Sequence, residues 1–144
     1  RPIRGQHAAP FSPLLSYPYA TARAALDRVA ASDAPDAHHG WKMIYTNPTD
    51  GGHILPTIAA CLQRLPAGFA TRAWRSTEAT FFAVAEGTGT ARIGDAEWTF
   101  AESDVFVAPN WTWVTLEARS DCVLFSFSDR AAQERLGIWR SEES

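Results

Sequence analysis

The segment GFATRAWRSTEATFFAVAEG, residues 68–87, has the spacing of a metal-binding β-barrel motif. Glycines frame two stretches of alternating pattern, but Trp74, Ser76 and Thr80 stand where metal ligands would be expected. An open Fe(II) or Zn(II) site needs about three imidazole or carboxylate donors that converge on one point. Indole has no lone pair free in the ring plane, and hydroxyl groups are poor ligands. The segment is therefore predicted to hold no metal.

The four histidines are expected to be exposed to solvent rather than to act as metal ligands. Two of them are adjacent in a polar loop, where neighbouring side chains of an extended backbone point in opposite directions. His53 is the best candidate for an exception, because it opens a strand near the rim of the predicted barrel. The four residues are His7, His38, His39 and His53.

The two cysteines, Cys61 and Cys122, each lie inside an apolar run. They are predicted to be buried thiols of a protein in a reducing cytoplasm rather than partners in a disulfide. Neither strand context suggests the activated thiolate that cysteine–histidine chemistry requires.

Two arginines near the first segment could bind a carboxylate through paired hydrogen bonds. On an extended strand Arg72 shares its side with Trp74, Ser76 and Thr80, whereas Arg75 faces the other side. Arg72 is therefore the candidate that points into the barrel. A charge at the barrel mouth, paired with an Asp or Glu, is the simpler interpretation.

Aromatic residues are abundant, with six Trp and eight Phe in 144 residues. Most of them are predicted to fill the core or to form an interface, and an aromatic cage for a ligand is the alternative. Arg72, Trp74 and Trp113 are the residues that would line such a pocket. The aromatic cluster comprises Trp111, Trp113, Phe81, Phe82, Phe106, Phe125 and Phe127.

Composition describes one globular domain and excludes two classes of partner. The chain is 46% apolar and 20% charged, with a net charge of −3 and Lys42 as its single lysine. Nucleic acids and anionic membranes need clustered basic residues, so neither is an expected partner. No segment is long and apolar enough to span a bilayer, and the N-terminus lacks the pattern of a signal peptide. A cytoplasmic location is expected.

These side chains must be positioned by secondary-structure elements, and the spacing of apolar residues indicates which ones. At Trp41 that spacing changes from a helical period to a period of two. Residues 1–18 contain four prolines and are expected to form an extended arm. YATARAALDRVAAS is expected to be a helix with Thr21 as its N-cap, followed by a loop. From Trp41 onward, nine short β-prone stretches alternate with turn sequences, and DRAAQERLG is expected to close the chain as a helix. The prediction is an all-β sandwich or barrel over residues 41–144, preceded by an arm, helix and linker over residues 1–40.

The order of strands and turns resembles a cupin, a double-stranded β-helix of jelly-roll type. Its first motif runs Gly, five residues, His-x-His, three or four residues, Glu, six residues, Gly. Its second runs Gly, five residues, Pro-x-Gly, two residues, His, three residues, Asn. Both spacings fit this sequence while every ligand type is missing. The matching residues are Gly68, Trp74, Ser76, Thr80 and Gly87, then Ser103, Pro109, Trp111, Val114 and Ala118. The resemblance implies that Trp74 fills the volume of the metal and its water.

A closer resemblance covers nearly the whole chain. YTNPTDGGHILPTI, LQRLPAGFATRAWRSTEATFFAVAEGTG and DVFVAPNWTW look like the C-terminal half of gentisate 1,2-dioxygenase and its relatives. These bicupins open the ring of hydroxylated aromatic acids with O2, using Fe(II) held on the histidines of HRHT and PPWTWH. Here WRST and PNWTW keep that frame, and Val114 stands where the last histidine would be.

The resemblance implies an Fe(II)-dependent, extradiol-type ring-cleaving dioxygenase as the parent protein, with its iron in the other cupin. It implies a metal-free role in assembly for this segment. The start at Arg1 rather than Met also suggests a piece of a longer protein. The expected partners are the other cupin domain, further subunits of a homo-oligomer and, for the parent, a small aromatic acid. Residues 1–18 are expected to lie extended across a partner cupin.

Two alternatives belong to other classes of protein. One is a free-standing, metal-free cupin that binds a small carboxylate or aromatic ligand, or that acts as a dimerisation module. The other is a sugar-modifying cupin epimerase, which lacks the histidine base it would need on an inward-facing strand.

Overall fold

The computed structural model describes residues 16–144, which form ten β-strands and two α-helices. Most of the expected arm therefore lies outside the described residues. Tyr17, at its end, packs edge-on against Tyr45 of the same chain, with 5.4 Å between the ring centroids. In chain order the elements are α1 (Tyr19–Ser32), β1 (Trp41–Ile44), β2 (Ala59–Leu65), β3 (Trp74–Ser76), β4 (Thr80–Glu86), β5 (Gly89–Ile93), β6 (Ala96–Phe100), β7 (Val105–Ala108), β8 (Val114–Ala118), β9 (Cys122–Ser128), α2 (Arg130–Arg135) and β10 (Ser141–Glu143).

The strands form two five-stranded antiparallel sheets that pack face to face. The first sheet has the order β1-β2-β9-β4-β7, and the second has the order β10-β3-β8-β5-β6. Along β8, burial alternates with a period of two, as expected when one face of a strand meets the core. The predicted all-β class, with one helix before the strands and a short helix after most of them, is confirmed.

The inward side chains of the first sheet change from apolar to polar along the strands. In the pairing of β4 with β9, Val84 lies opposite Leu124, Phe82 opposite Ser126 and Thr80 opposite Ser128. The apolar end packs on the second sheet to form the main core. Its members include Leu65, Phe82, Val84, Ala91, Ile93, Phe100, Phe106, Val114, Leu116 and Leu124. The barrel interior therefore has one apolar end and one polar end.

Helix α1 covers part of the outer face of the first sheet. Ala22 and Leu26 are buried against Leu62 of β2 and Val123 of β9. The predicted N-cap at Thr21 is wrong, because the helix begins at Tyr19 and Pro18 occupies the N-cap position. The Pro18 carbonyl accepts hydrogen bonds from the backbone N–H groups of Thr21 and Ala22. Proline's fixed φ suits a helix start, where a missing N–H costs nothing.

Two further differences concern the second sheet. The predicted strand FATRAWR is reduced to the three residues of β3, and Ala70 forms only an isolated bridge with Glu117. The C-terminal strand β10 is unpredicted, because SEE has neither β-propensity nor alternation. It pairs antiparallel with β3 through backbone hydrogen bonds at the edge of the sheet.

Four turn positions of the two predicted cupin motifs have a positive φ. Gly68 and Gly87 have φ of 79° and 88°. Ser103 and Trp111, at positions where the second motif has glycine, have φ of 75° and 53°. Positive φ is rare for residues other than glycine. No helix within residues 16–144 has the length and apolar character needed to cross a membrane.

Candidate functional site

The polar end of the barrel interior contains a cavity of about 240 Å³. Three of the four positions that the motif spacing aligns with cupin metal ligands, Trp74, Ser76 and Thr80, line this cavity. The fourth, Val114, is buried and lies directly opposite Trp74 in the pairing of β8 with β3. The spacing of the sequence motif thus brings these positions together in space.

The side chains at these positions do not fit Fe(II). An indole, two hydroxyls and an isopropyl group offer no imidazole or carboxylate donor. The half-buried Trp74 ring packs against the apolar core and meets the His39 ring edge-on, at 5.0 Å between centroids. Within residues 16–144, no three His, Cys, Asp or Glu side chains are grouped so that they could hold a metal ion.

The cavity contains a carboxylate that the sequence analysis missed, that of Glu78. It lies between β3 and β4, where its two oxygens accept hydrogen bonds from Ser76 Oγ at 3.3 Å and from Ser128 Oγ at 2.5 Å. Residues 77–79 lie outside both strands, so alternation along an extended backbone could not predict the direction of this side chain.

Lys42 also faces the polar end of the interior. On β1, Trp41 and Met43 pack against α1 on the outer side, so Lys42 points inward, next to the buried Gln63 of β2. Lys42 lines both the main cavity and a small adjoining recess. Cys61 lies in that recess, and burial raises the pKa of its thiol. Lys42 makes no ion pair or side-chain hydrogen bond with any other residue in the described part of the chain.

The expectation that the histidines are exposed to solvent is wrong for His38, His39 and His53, whose side chains are all partly buried, and His7 lies outside the described residues. The carboxylate of Asp36 accepts hydrogen bonds from the backbone N–H groups of His38 and His39, each at 2.9 Å, which tightens the loop before β1. The side chain of Gln63 then donates to the His39 carbonyl at 2.7 Å. The loop places the His39 ring against the cavity, where burial, with a contribution from Lys42, lowers its pKa to about 3. His39 is therefore neutral at physiological pH.

His53, the candidate exception among the histidines, lies elsewhere. Its Nε2 is 2.7 Å from Oε2 of Glu134 on α2. Glu134 also accepts a hydrogen bond from Arg130, and the two contacts hold the pKa of this carboxyl below its usual range. His53 therefore joins the loop before β2 to α2.

Of the three residues predicted to line a pocket, Trp74 lines the cavity and the other two lie outside it. Arg72 is exposed, and its backbone N–H donates to the carbonyl of Ala37. Trp113 packs under the guanidinium of Arg75, which lies 4.5 Å from its ring centroid and equally close to that of Trp111. Cys61 and Cys122 are free thiols, as predicted.

The C-terminal segment forms the rim of the cavity. The backbone of Arg140 exchanges hydrogen bonds with Thr77, and Arg75 is paired with Glu142 of β10. The indole of Trp139 lies under the guanidinium of Arg130, with 4.0 Å between the guanidinium carbon and the ring centroid. The end of the chain is therefore part of the site.

Comparison with known proteins agrees with this architecture. No protein-family model matches the chain. It is 47% identical over 133 residues to gentisate 1,2 dioxygenase 1 of Aquipseudomonas alcaligenes, a match that covers 92% of this chain and 38% of that protein. The structure is similar to salicylate 1,2-dioxygenase from Pseudoaminobacter salicylatoxidans in adducts with gentisate. That match has a TM-score of 0.82 and 29% identity, and it covers 89% of this chain and 36% of the other.

A more distant likeness shows the fold alone. The cupin domain of Schizosaccharomyces pombe Cnp3 matches with a TM-score of 0.55 and 15% identity, over 76% of this chain and 78% of that one. The predicted cupin fold is confirmed, and the chain spans only 38% of the length of the curated relative it matches. The resemblance to the gentisate 1,2-dioxygenase family is also confirmed, and the chain corresponds to a cupin portion of those longer proteins.

Proposed function

We propose that the chain is the metal-free, C-terminal cupin of a longer cytoplasmic dioxygenase, in which it serves assembly and structural support. The parent would be an Fe(II)-dependent, extradiol-type enzyme that cleaves the ring of a hydroxylated aromatic acid with O2. The names of its relatives, a gentisate and a salicylate dioxygenase, support this substrate class. The iron is assigned to the other cupin, and the domain division at residues 40 and 41 remains part of the proposal.

The observation that carries the proposal is the set of side chains at the four ligand positions. Trp74 and Val114 are paired across two strands, and Ser76 and Thr80 line the adjoining cavity. The motif spacing aligns these positions with a cupin metal centre, whereas their chemistry offers no strong donor to a transition metal. Ring cleavage is therefore not assigned to any residue of this chain.

An assembly role is supported by the outer face of the first sheet beyond α1. Four apolar side chains on β4, β7 and β9 are between 39% and 67% exposed. Phe81 lies between Phe127 and Val107 in the strand pairing, and the two Phe rings stack with 5.0 Å between centroids. Contiguous exposed apolar patches on soluble proteins often mark interfaces. We call this surface the aromatic face; its members are Phe81, Val105, Val107 and Phe127.

Metal analysis tests the metal-free assignment. The purified chain is incubated separately with Fe(II), Mn(II) and Zn(II), passed through gel filtration and analysed for bound metal. A chelator-treated sample without added metal provides the background. We expect no stoichiometric metal in any sample. One equivalent of any of these metals retained through gel filtration contradicts the proposal.

Light scattering tests the assembly role. We expect the chain to be a dimer or larger at micromolar concentration, and a Phe81→Ser/Phe127→Ser variant to be monomeric. Leu136→Ser is the matched control, because Leu136 is 72% exposed but lies next to α2, away from the aromatic face. The assembly role of this face is contradicted if the unsubstituted chain is monomeric, or if both variants associate to the same extent.

A further inference from the structure

The edge strands of the two sheets differ in their charged residues. The edges are β1 and β7 in the first sheet, and β10 and β6 in the second. Strand β1 contains a lysine, and β6 and β10 contain glutamates, whereas the sequence of β7 is VFVA. Charged side chains on an edge strand discourage pairing with strands of other molecules. Strand β7 is therefore the edge that lacks this protection.

Strand β7 also has a free backbone side. It pairs with β4 along one side, and no strand within residues 16–144 pairs with the other. The N–H and C=O groups on that free side are donors and acceptors for a further strand. Val105 and Val107 are 67% and 39% exposed on the outer face, whereas Phe106 points into the core. An uncharged, β-branched edge of this kind is a template for another strand.

A second copy of β7 fits this edge in antiparallel orientation. Paired residues of one sheet point to the same face, so an outward residue must lie opposite an outward one. A two-fold axis satisfies this condition when Phe106 lies opposite Phe106 of the second copy and Val105 lies opposite Val107 of the second copy.

The charges next to β7 are compatible with this register. Asp104 precedes the strand and lies opposite Ala108 of the second copy, so the two Asp104 residues are four positions apart along the paired strands. Four positions correspond to about 13 Å, which is more than the screening length of about 8 Å at physiological ionic strength. Repulsion between the two carboxylates is therefore weak.

We propose that β7 is a dimerisation edge, at which two copies of this chain pair their β7 strands antiparallel about a two-fold axis. Each Val107 then lies between Phe81 of its own copy and Val105 of the second copy, so the aromatic face continues across the contact. The inference rests on the proposed assembly role. It adds the partner, a second copy of the chain, and the contact, which is the backbone of β7.

Light scattering over a dilution series gives the dissociation constants of the unsubstituted chain and three variants. Val105→Lys places a charge on the free edge without removing a buried side chain, and it should raise the dissociation constant about tenfold or more. Val105→Thr keeps a β-branched side chain and the backbone, so its dissociation constant should stay within a few-fold of that of the unsubstituted chain. Thr99→Lys is the matched control, because it adds the same charge at an exposed position of β6 and should leave association unchanged.

Hydrogen–deuterium exchange on the unsubstituted chain provides a second measurement. Amides on the free side of β7 should exchange more slowly above the dissociation constant than below it, because each gains an acceptor in the second copy. The amides of β10 provide the internal control and should exchange at the same rate at both concentrations. Circular dichroism confirms that each variant is folded. If Val105→Lys is not, the exchange measurement and Val105→Thr still decide.

Three results would overturn the proposal while leaving the assembly role intact. The first is a dimer that Val105→Lys weakens no more than Thr99→Lys does. The second is equal weakening by Val105→Thr and Val105→Lys, which would assign the contact to apolar side chains. The third is exchange at β7 that does not change with concentration, which would leave the edge to a different strand, such as one of the longer protein. A monomeric unsubstituted chain would instead contradict the assembly role and this inference together.

Discussion

Replacing Gly87 by alanine is expected to destabilise the protein far more than replacing Gly68, although both glycines have positive φ, 88° and 79°. A Cβ built on Gly87 would lie 2.2 Å from the carbonyl oxygen of Asp121 and 2.9 Å from Cα of Cys122. A Cβ on Gly68 would meet no atom within 4 Å. The two positions therefore share the cost of a positive φ and differ in the space available for a Cβ.

The magnitudes follow from these two contributions. A left-handed conformation destabilises a residue with a Cβ by about 1–2 kcal/mol. Replacing glycine also lowers the conformational entropy of the unfolded chain, which stabilises the folded state by about 0.4–1 kcal/mol. Gly68→Ala should therefore reduce the free energy of unfolding by about 1 kcal/mol. For Gly87→Ala the contact is with backbone, which cannot rotate away, so the start of β9 must shift. Overpacking of this kind adds about 1–3 kcal/mol, for a total of about 2–4 kcal/mol.

Urea denaturation followed by tryptophan fluorescence measures the difference between the two variants. With equal slopes, the shift in midpoint reports the change in stability directly. A total of about 2–4 kcal/mol is a large part of the roughly 5–15 kcal/mol that stabilises a typical domain. Equal midpoints for the two variants would refute the close approach of Gly87 to Asp121, and with it the placement of the first motif against β9.

Three further outcomes are expected in the same assay. Trp74→Ala should lower the free energy of unfolding by about 2–4 kcal/mol. This is somewhat less than the roughly 3–5 kcal/mol for a fully buried Trp, because the Trp74 ring is only half-buried. An unchanged midpoint would show that Trp74 does not support the core. Ser103→Gly should stabilise the protein by about 0.5–1 kcal/mol, because glycine adopts the φ of 75° without strain. Glu102→Gly, at the neighbouring position, should destabilise the protein. Similar effects of the two substitutions would exclude strain at Ser103. Burial keeps His39 neutral in the folded state, with a pKa of about 3, while the unfolded chain takes up a proton below pH 6.5. The free energy of unfolding should therefore fall, by up to about 1.4 kcal/mol per pH unit, as the pH is lowered from 6.5 towards 3, with a shallower slope in His39→Asn. Equal slopes in the two proteins would contradict the burial of His39.

The fold was predictable because alternation with a period of two is a local signal. Most strands after Trp41 place apolar side chains on one face, and the turns between them contain Gly, Pro, Asn or Asp. Such patterns need no knowledge of distant residues. Strand β10 has no such pattern, and it exists because the edge of β3 offers unpaired backbone groups.

The site was only partly predictable, since its polar residues come from separate elements. The motif spacing singles out Trp74, Ser76 and Thr80, and these three side chains line one cavity. The burial of His39 depends on a hydrogen bond from Gln63, 24 positions along the chain. Lys42 faces inward because α1 covers the opposite side of β1. Both facts depend on tertiary packing, which a local pattern does not report.

The frame of the two motifs has a physical basis that is independent of metal binding. Ser103 keeps a positive φ while its N–H donates to the carbonyl of Val84 at 2.9 Å. Trp111 keeps a positive φ while its N–H donates to the carbonyl of Ser76 at 2.6 Å and its ring packs under Arg75.

Each left-handed residue costs about 1–2 kcal/mol. The hydrogen bonds at Ser103 and Trp111 join their turns to β4 and β3, so the spacing is held by the backbone rather than by ligands. A ligand can then be replaced without loss of the spacing, and a matching spacing is evidence for the fold alone. Whether such a barrel binds a metal depends on the side chains at four positions, which the motif spacing assigns here to Trp74, Ser76, Thr80 and Val114.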